Sequence, residues 1–218
     1  MLNIAVFGSG AGSNFRAILT AIQQGNIPAA RISLVLSNNS GAGILGIARD
    51  NALPAIHLSQ KQFPDERSFV DSILSTLHDH GVNFIALAGY MKQVPPEVVA
   101  AYRNRIVNIH PALLPRFGGA GMYGMRVHEA VLASGEKMSG ATVHYVDEEY
   151  DNGPVVLQQT VPVLPGDTPG SLASRVLAAE HQLYPAAIGR IAQNERTPEH
   201  HHNRSYHRRV PCPGSVAL

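Results

Sequence analysis

The sequence predicts an α/β fold with a doubly wound, mostly parallel sheet and an antiparallel addition towards its C-terminal end. In the first half, short apolar runs alternate with segments of helical length, a pattern typical of parallel strands buried on both faces. In the second half, two apolar runs follow each other closely, which favours antiparallel pairing. The chain has 218 residues, of which 44% are hydrophobic and 15% charged, so it is long and apolar enough to form one buried core.

The first half supplies four predicted strands and three predicted helices. The strands are apolar runs bounded by turn residues, at 4–7, 32–36, 84–88 and 106–107. The first helix, at 14–24, has one apolar stripe at helical spacing: Phe15, Ile18, Leu19 and Ile22. The next two helices are predicted at 42–51 and 65–80. This alternation predicts a Rossmann-like N-terminal half.

The second half begins with a loop rich in glycine and proline at 111–124. A helix is predicted at 127–134, and strands at 141–146 and 155–163. The last helix, at 169–192, follows from apolar residues at three- and four-residue steps: Leu172, Val176, Ala179 and Leu183. Pro185 is expected to kink or break this helix. We predict one folded domain at 1–193 and a flexible tail at 194–218, where no apolar period remains.

Charge and cysteine content narrow the class of protein. Lys and Arg total 17 against 16 Asp and Glu, a net charge of +1, which predicts neither a nucleic-acid nor a membrane partner. The only cysteine is Cys212, so no intrachain disulfide can form and a reducing compartment, the cytoplasm, is predicted. The N-terminal apolar run is too short for a signal peptide or a membrane span. No metal site is predicted, and the tail histidines are interpreted as solvated sequence: His200, His201, His202 and His207.

A glycine-rich turn joins the first predicted strand to the first predicted helix. It reads Gly8-Ser9-Gly10-Ala11-Gly12-Ser13-Asn14, and the N–H groups at a helix N-terminus favour an anion such as phosphate. Ser13 stands where a dinucleotide fingerprint needs its third glycine, and no acid follows the second strand, which disfavours a nicotinamide cofactor. No Gly-Lys-Ser/Thr follows, which disfavours a Walker loop still more. A monophosphate site and a plain turn in which Ser13 or Asn14 caps the helix both remain open.

Asn108 and His110 form a candidate catalytic pair at the C-terminal end of the fourth predicted strand. Residues two apart in a strand project to the same face, so both side chains are expected in the crevice where open α/β sheets bind ligands. An Asn amide donates to a developing oxyanion, and a protonated His does likewise or passes a proton to it. Asp151 precedes a Gly-Pro turn and is suited to stabilise an imidazolium and take up an amine proton. A buried structural His and a solvated acidic turn remain the alternatives.

Six motifs between Asn3 and about residue 191 jointly match a known family: Gly10-Ala11-Gly12-Ser13-Asn14, Ala88-Gly89-Tyr90-Met91-Lys92, Asn108-Ile109-His110-Pro111, Gly140-Ala141-Thr142-Val143-His144, Asp151-Asn152-Gly153-Pro154 and Glu180-His181-Gln182-Leu183-Tyr184-Pro185. Together they resemble the phosphoribosylglycinamide formyltransferases of purine synthesis. The resemblance implies the formyltransferase fold. It also implies transfer of a formyl group from 10-formyltetrahydrofolate, as co-substrate, to the amine of glycinamide ribonucleotide, by a monomer or a homodimer.

The resemblance also implies roles for individual residues. The catalytic set would be Asn108, His110 and Asp151. The ribonucleotide would contact Gly12, Ser13, Asn14 and Glu180. The folate would contact Arg67, Tyr90, Met91, Lys92, Gln93, Val94, Asn108, Val146, Asp147, Glu148, Glu149, Tyr150 and Asp151. An exposed helix arginine is the alternative for Arg67.

Three positions depart from the family pattern. Leu177 stands where some members carry a polar residue that contacts the substrate, so no binding role is assigned to it. Lys92 replaces an arginine that is common in the folate loop, and the sequence after Asn194 differs from the family.

Three other functions remain in competition. A formyltetrahydrofolate hydrolase would use the same side chains with water as acceptor, but that family usually has an N-terminal regulatory domain, which is not expected here. A methionyl-tRNA formyltransferase is disfavoured because no basic C-terminal RNA-binding domain is expected. A non-catalytic nucleotide-binding paralogue is disfavoured because Asn108, His110 and Asp151 are all retained.

Overall fold

Seven strands form one mixed sheet in a computed structural model, which describes residues 1–195. The order across the sheet is β3-β2-β1-β4-β5-β6-β7. The strands are β1 (Leu2–Phe7), β2 (Ala30–Ser37), β3 (Ala55–His57), β4 (Phe84–Leu87), β5 (Ile106–His110), β6 (Met138–Tyr145) and β7 (Val155–Pro162). Strands β1 to β5 pair in parallel, whereas β6 pairs antiparallel with β5 and β7 antiparallel with β6. The predicted fold class is confirmed.

Helices cover both faces of this sheet. They are α1 (Ser13–Gln23), α2 (Gly43–Asp50), α3 (Glu66–Asp79), α4 (Pro96–Ala101), α5 (Met125–Ala133) and α6 (Pro169–Asn194). Because successive strand residues point to opposite faces, Ile4 and Val6 pack in one core cluster with α1, α2 and α6. Ala5 and Phe7 pack in the other cluster with α3 and α4. None of the helices within residues 1–195 is long and apolar enough to cross a membrane.

Three short elements were not predicted, and one expected helix break does not occur. Strand β3, a three-residue 3-10 helix at Gln60–Gln62 and helix α4 are too short to produce a periodic pattern. Helix α6 runs through Pro185 without a break, so of the two expected effects of this proline the break does not occur. Buried residues on both sides of the proline, Tyr184 and Ala187 among them, pack against the core, and this packing offsets the lost hydrogen bond.

Helix α6 ends at Asn194, and the Arg105 guanidinium donates to the Glu195 carboxylate at 2.8 Å. The remainder of the predicted tail, with Cys212 and the histidines His200, His201, His202 and His207, lies outside the described residues.

The strand order reverses between β1 and β4. Helix α1 leaves β1 towards one face of the sheet and α4 leaves β4 towards the other. Such a reversal opens a crevice at the carboxyl ends of the strands, where open α/β sheets bind their ligands.

Candidate active site

A cavity of about 460 Å³ opens at this crevice. It is bounded by the segments that follow β4, β5 and β6 and by one side chain each from α1 and α6. The lining includes most of the site residues predicted from the sequence: Asn14, Tyr90, Met91, Lys92, Gln93, Val94, Asn108, His110, Val146, Asp147, Glu148, Glu149, Tyr150, Asp151 and Glu180. Gly12, Ser13 and Arg67 are outside it.

The structure brings Asn108, His110 and Asp151 together in this cavity. His110 ends strand β5, and its Nδ1 lies 3.4 Å from Oδ2 of Asp151, which is in the loop between β6 and β7. The two side chains are only 4% and 11% exposed, so water screens their interaction weakly. Asn108 lies two residues before His110 on the same strand, as the spacing predicted.

Both ring nitrogens of His110 face hydrogen-bond acceptors. Nε2 lies 2.8 Å from the carbonyl oxygen of Phe117, and Nδ1 faces Asp151. Because a carbonyl only accepts, the neutral ring carries its hydrogen on Nε2 and donates it to Phe117. Burial lowers the pKa of His110 below its ordinary value, while the charge of Asp151 and the Phe117 carbonyl oppose that change. Nδ1 is therefore a position where a proton can be accepted beside a carboxylate.

His144 orients the amide of Asn108. The antiparallel register sets His144 on β6 directly opposite Asn108. Its Nδ1 donates to the Tyr145 carbonyl at 2.8 Å, and its Nε2 lies 3.2 Å from Asn108 Nδ2 and 3.5 Å from Oδ1 of Asp151. In the neutral ring Nε2 accepts from Asn108, and in the protonated ring it donates to Asp151. One hydrogen of the Asn108 amide is thus held, and the second is directed to another acceptor. The sequence assigned no role to His144, because strand register cannot be read from a single sequence.

Asp151 owes its position to the glycine-containing loop between β5 and α5. Oδ2 accepts a hydrogen bond from the Gly119 N–H at 2.9 Å, in the loop between β5 and α5. A Cβ at Gly118 would meet Leu114 Cδ2 at 2.4 Å and Asp151 Cβ at 3.0 Å, so the two loops touch without room for a side chain. Burial acts to raise the pKa of Asp151, but the neighbouring rings of His144 and His110 and the Gly119 N–H outweigh it, so the pKa lies below the ordinary value. Asp151 is ionised at neutral pH.

A buried polar network supports the chain immediately after His110. The Thr142 hydroxyl on β6 donates to the Ala112 carbonyl at 2.6 Å and accepts from the Leu114 N–H at 3.1 Å. The Gln158 amide on β7 donates to both Thr142 and the Leu114 carbonyl. These bonds fix the segment that carries the ring of His110, in addition to the stiffening expected from the prolines.

The glycine-rich turn is not capped by a side chain. Helix α1 begins at Ser13 with Gly12 as its N-cap, at a φ of 82° and with no side-chain hydrogen bond. The interpretation in which Ser13 or Asn14 caps the helix is therefore wrong. A Cβ at Gly12 would meet Ile44 Cα at 2.8 Å, so close packing against α2 requires glycine here. The first N–H groups of α1 then suit an anion.

Asn14 is turned towards α6. Its Nδ2 donates to Oε2 of Glu180 at 2.6 Å, and both residues are buried. Oδ1 of Asn14 is buried and has no partner among residues 1–195. Burial raises the pKa of Glu180, although the Asn14 hydrogen bond opposes this effect. A carboxyl and an amide oxygen in one cavity lining are acceptors for hydroxyl or amine donors.

The remaining predicted folate residues form two segments on one side of the cavity. Residues 90–94 follow β4 and residues 146–150 follow β6. The Tyr90 ring makes an edge contact with Phe7 at 5.4 Å, and burial raises its pKa to about 12. Arg103 donates to the Glu148 carboxylate at 2.7 Å. Apolar side chains such as Val94, together with the backbone groups of these segments, suit a flat ring with polar margins.

Arg67 lies away from this cavity. It is on helix α3 with its side chain 90% exposed, and its Nε is 3.9 Å from Asp71. An exposed helix pair of this kind contributes little to stability, and the contact of Arg67 with folate stays a prediction. Gly12 and Ser13 lie just outside the lining, at the N-terminus of α1, adjacent to Asn14.

Comparison with known proteins gives consistent results. The model of the formyl transferase family matches residues 2–188. The chain is 44% identical over 191 residues to a protein of Arabidopsis thaliana named chloroplastic phosphoribosylglycinamide formyltransferase, which covers 87% of this chain and 65% of the plant protein. It is 35% identical over 191 residues to the phosphoribosylglycinamide formyltransferase of Bacillus subtilis, which covers 88% of this chain and 95% of that protein.

A solved structure agrees with these relatives. Glycinamide ribonucleotide transformylase 1 from Symbiobacterium toebii matches with a TM-score of 0.83 and 40% identity over 89% of each chain. In length, this chain spans just under two thirds of the Arabidopsis relative but nearly the whole of the Bacillus one.

Proposed function

The chain belongs to the formyl transferase family, and from this we propose that it transfers a formyl group from 10-formyltetrahydrofolate to the amine of glycinamide ribonucleotide. The observation that supports this most is the convergence of Asn108, His110 and Asp151 in one cavity, opposite the Asn14–Glu180 pair. An amide, an imidazole and a carboxylate suit acyl transfer to an amine without a covalent enzyme intermediate.

The ribonucleotide would bind at the glycine-rich turn. Its phosphate would accept from backbone N–H groups of Gly12, Ser13 and Asn14, because α1 has no side-chain cap and its dipole favours an anion. The ribose hydroxyls or the amine would then donate to Asn14 Oδ1 and Glu180, whose buried oxygens gain partners.

The folate would occupy the opposite side of the cavity. Backbone groups of residues 90–94 and 146–151 would read the edge of the pterin, and the apolar side chains between them would cover its faces. Reading through the backbone also explains why Lys92 can replace arginine in this loop. The contact of Arg67 with the folate carboxylate stays a prediction of the family resemblance.

Attack of the amine on the formyl carbon would give a tetrahedral intermediate. Asn108 would donate its second amide hydrogen to the oxyanion, with His144 holding the first. His110 would be the other donor, through Nδ1 once that nitrogen carries a proton, and each donor of this kind is typically worth roughly 3 kcal/mol. The bond between the amine nitrogen and the formyl carbon forms in this step, and the bond to folate N10 breaks when the intermediate collapses.

The proton of the attacking amine would leave through His110 and Asp151. Asp151 is ionised and lies 3.4 Å from Nδ1 of His110, so it stabilises the imidazolium formed when that nitrogen takes a proton. Returning the proton to folate N10 completes the transfer, with no net proton change on the protein.

The decisive experiment follows folate absorbance with the purified chain and 10-formyltetrahydrofolate. We expect turnover only when glycinamide ribonucleotide is present, with formylated ribonucleotide as product. Turnover without the ribonucleotide would support the hydrolase instead. No turnover under either condition, with both ligands bound in calorimetry, would support a non-catalytic paralogue.

We further propose that the protein acts in the cytoplasm on small molecules, as a monomer or a homodimer. The near-neutral net charge of +1 and the single cysteine support this location. Localisation of a fluorescent fusion of the full chain and analytical ultracentrifugation test the two statements.

A further inference from the structure

Ser9 connects the two loops to which the proposed function assigns the two substrates. It lies in the glycine-rich turn between β1 and α1, between Gly8 and Gly10. Gly89 and Met91 follow β4, at the start of the folate segment. Since the strand order reverses between β1 and β4, these two loops leave the sheet towards opposite faces.

Two hydrogen bonds join Ser9 to the folate segment. The Ser9 N–H donates to the Gly89 carbonyl at 3.0 Å. The Ser9 hydroxyl accepts from the Met91 N–H at 2.8 Å. One residue of the phosphate turn thus holds both ends of the three-residue segment 89–91, in which Gly89 has a φ of 71°.

Asn38 sets the direction of the Ser9 hydroxyl. The hydroxyl donates its one hydrogen to Asn38 Oδ1 at 2.5 Å, which leaves its lone pairs for the Met91 N–H. Asn38 directly follows β2. The ends of β2, β1 and β4, which are neighbours in the sheet, are therefore connected through one partly buried hydroxyl.

We propose that Ser9 is a positioning residue that couples the two substrate sites, so that each substrate strengthens the binding of the other. The proposal rests on the proposed function, because it needs phosphate at the turn and folate at residues 90–94. A phosphate bound to the turn restricts the movement of Ser9, and Ser9 then holds Met91 in place. The second ligand meets a segment that is already ordered and loses less conformational entropy on binding.

The test measures this coupling directly. Calorimetry gives the Kd of tetrahydrofolate, which has no formyl group to transfer, with and without saturating glycinamide ribonucleotide. We expect the ribonucleotide to tighten folate binding about fivefold or more, and tetrahydrofolate to tighten ribonucleotide binding by the same factor. In Ser9→Ala, the factor is expected to fall close to one in both directions.

Three further variants separate the hydroxyl from other effects. Ser9→Thr keeps a hydroxyl and is expected to retain the coupling. Asn38→Ala removes the acceptor of the Ser9 hydrogen without changing either ligand loop and is expected to reduce the coupling. Ser75→Ala, on the exposed face of α3, is the matched control and is expected to couple as the wild type does.

A wild-type chain that binds both ligands independently would overturn the coupling and leave the proposed function standing. A wild-type chain that binds neither ligand would contradict both. If Ser9→Ala couples the two ligands as strongly as the wild type, or if Ser9→Thr loses the coupling, the hydroxyl is not the link. If calorimetric melting shows that Ser9→Ala does not fold, retained coupling in Asn38→Ala would overturn the proposal and lost coupling would support it.

Discussion

Strands and a helix supply the residues on one side of the candidate site, and loops supply the groups on the other side. Asn108 and His110 lie on β5, His144 on β6 and Glu180 on α6. Asp151, the carbonyl of Phe117 and the N–H of Gly119 come from two loops. Strand β5 is paired on both edges, by β4 and β6, so its side chains are fixed by the sheet, whereas the loop groups depend on a few local contacts.

The loop side also holds unfavourable backbone conformations. Phe117 has a φ of 58° and Asp151 a φ of 55°, values that cost of order 1 kcal/mol for residues with side chains. They persist because the two loops bond to each other and to His110. Small changes in the loops should therefore displace catalytic atoms, while changes on the strands should alter chemistry without moving them.

Asp151→Asn gives the largest expected effect and separates charge from position on the loop side. We expect kcat to fall about 100-fold or more, because an amide stabilises no imidazolium at His110. Its oxygen still accepts from the Gly119 N–H, so the melting temperature should change by less than about 4 °C. Steady-state kinetics and calorimetry measure the two quantities. Asp79→Asn, an exposed carboxylate at the end of α3, is the control, and near-normal turnover in Asp151→Asn would remove Asp151 from the mechanism.

Gly118→Ala tests whether loop position alone matters. Its Cβ would crowd Leu114 Cδ2 and lie 3.0 Å from Asp151 Cβ, so the Leu114 side chain must move and Asp151 must give way slightly, although every proposed catalytic group remains. We expect kcat to fall about tenfold or more, because small misplacements of reacting groups are costly. Gly46→Ala, on α2 with no atom within 4 Å of its Cβ, is the matched control. Equal kcat in both variants would show that the loop side tolerates movement.

Titration of His110 tests how the two sides influence each other. Burial lowers the pKa of His110, while Asp151 acts to raise it. By NMR of histidine-labelled protein, we expect the midpoint below the ordinary value of 6.5, and lower still in Asp151→Asn, where the opposing charge is gone. A midpoint above 6.5, or one that Asp151→Asn leaves unchanged, would mean that the loop carboxylate does not act on the strand residue.

The sequence predicted the strand side of this site better than the loop side. Because Asn108 and His110 are two residues apart, the sequence predicted them on the same face of a strand. The apolar runs located β1, β2, β4 and β5 within a few residues. These features depend on local periodicity, which a single sequence contains. The residues alone suggested Asp151 as an acid beside a Gly-Pro turn, with a solvated turn as the alternative, whereas only the family resemblance gave Glu180 and the folate segments their roles.

Other features depend on contacts between distant segments. The pairing of His144 with Asn108 is set by strand register, and the hydrogen bond from the Met91 N–H to the Ser9 hydroxyl joins residues 82 positions apart. The break expected at Pro185 did not occur because tertiary packing of α6 outweighs the local effect of proline. Neither periodicity nor residue preference contains that information.

Glu180→Gln gives the smallest expected effect, on stability and not on the reacting groups. Burial raises the pKa of Glu180 above its ordinary value of 4.5, so the folded chain holds this proton more tightly than the unfolded chain. The stabilisation that the folded chain gains by holding this proton is fully present below the pKa that Glu180 has in the unfolded chain. It is lost as the pH rises through the pKa that Glu180 has in the folded chain. Glutamine never ionises and can still accept from Asn14. We therefore expect the melting temperature of Glu180→Gln minus that of the wild type to increase from about pH 4 to pH 8, as measured by calorimetry. A difference that stays constant with pH would mean that the Glu180 carboxyl on α6 is hydrated like an exposed one.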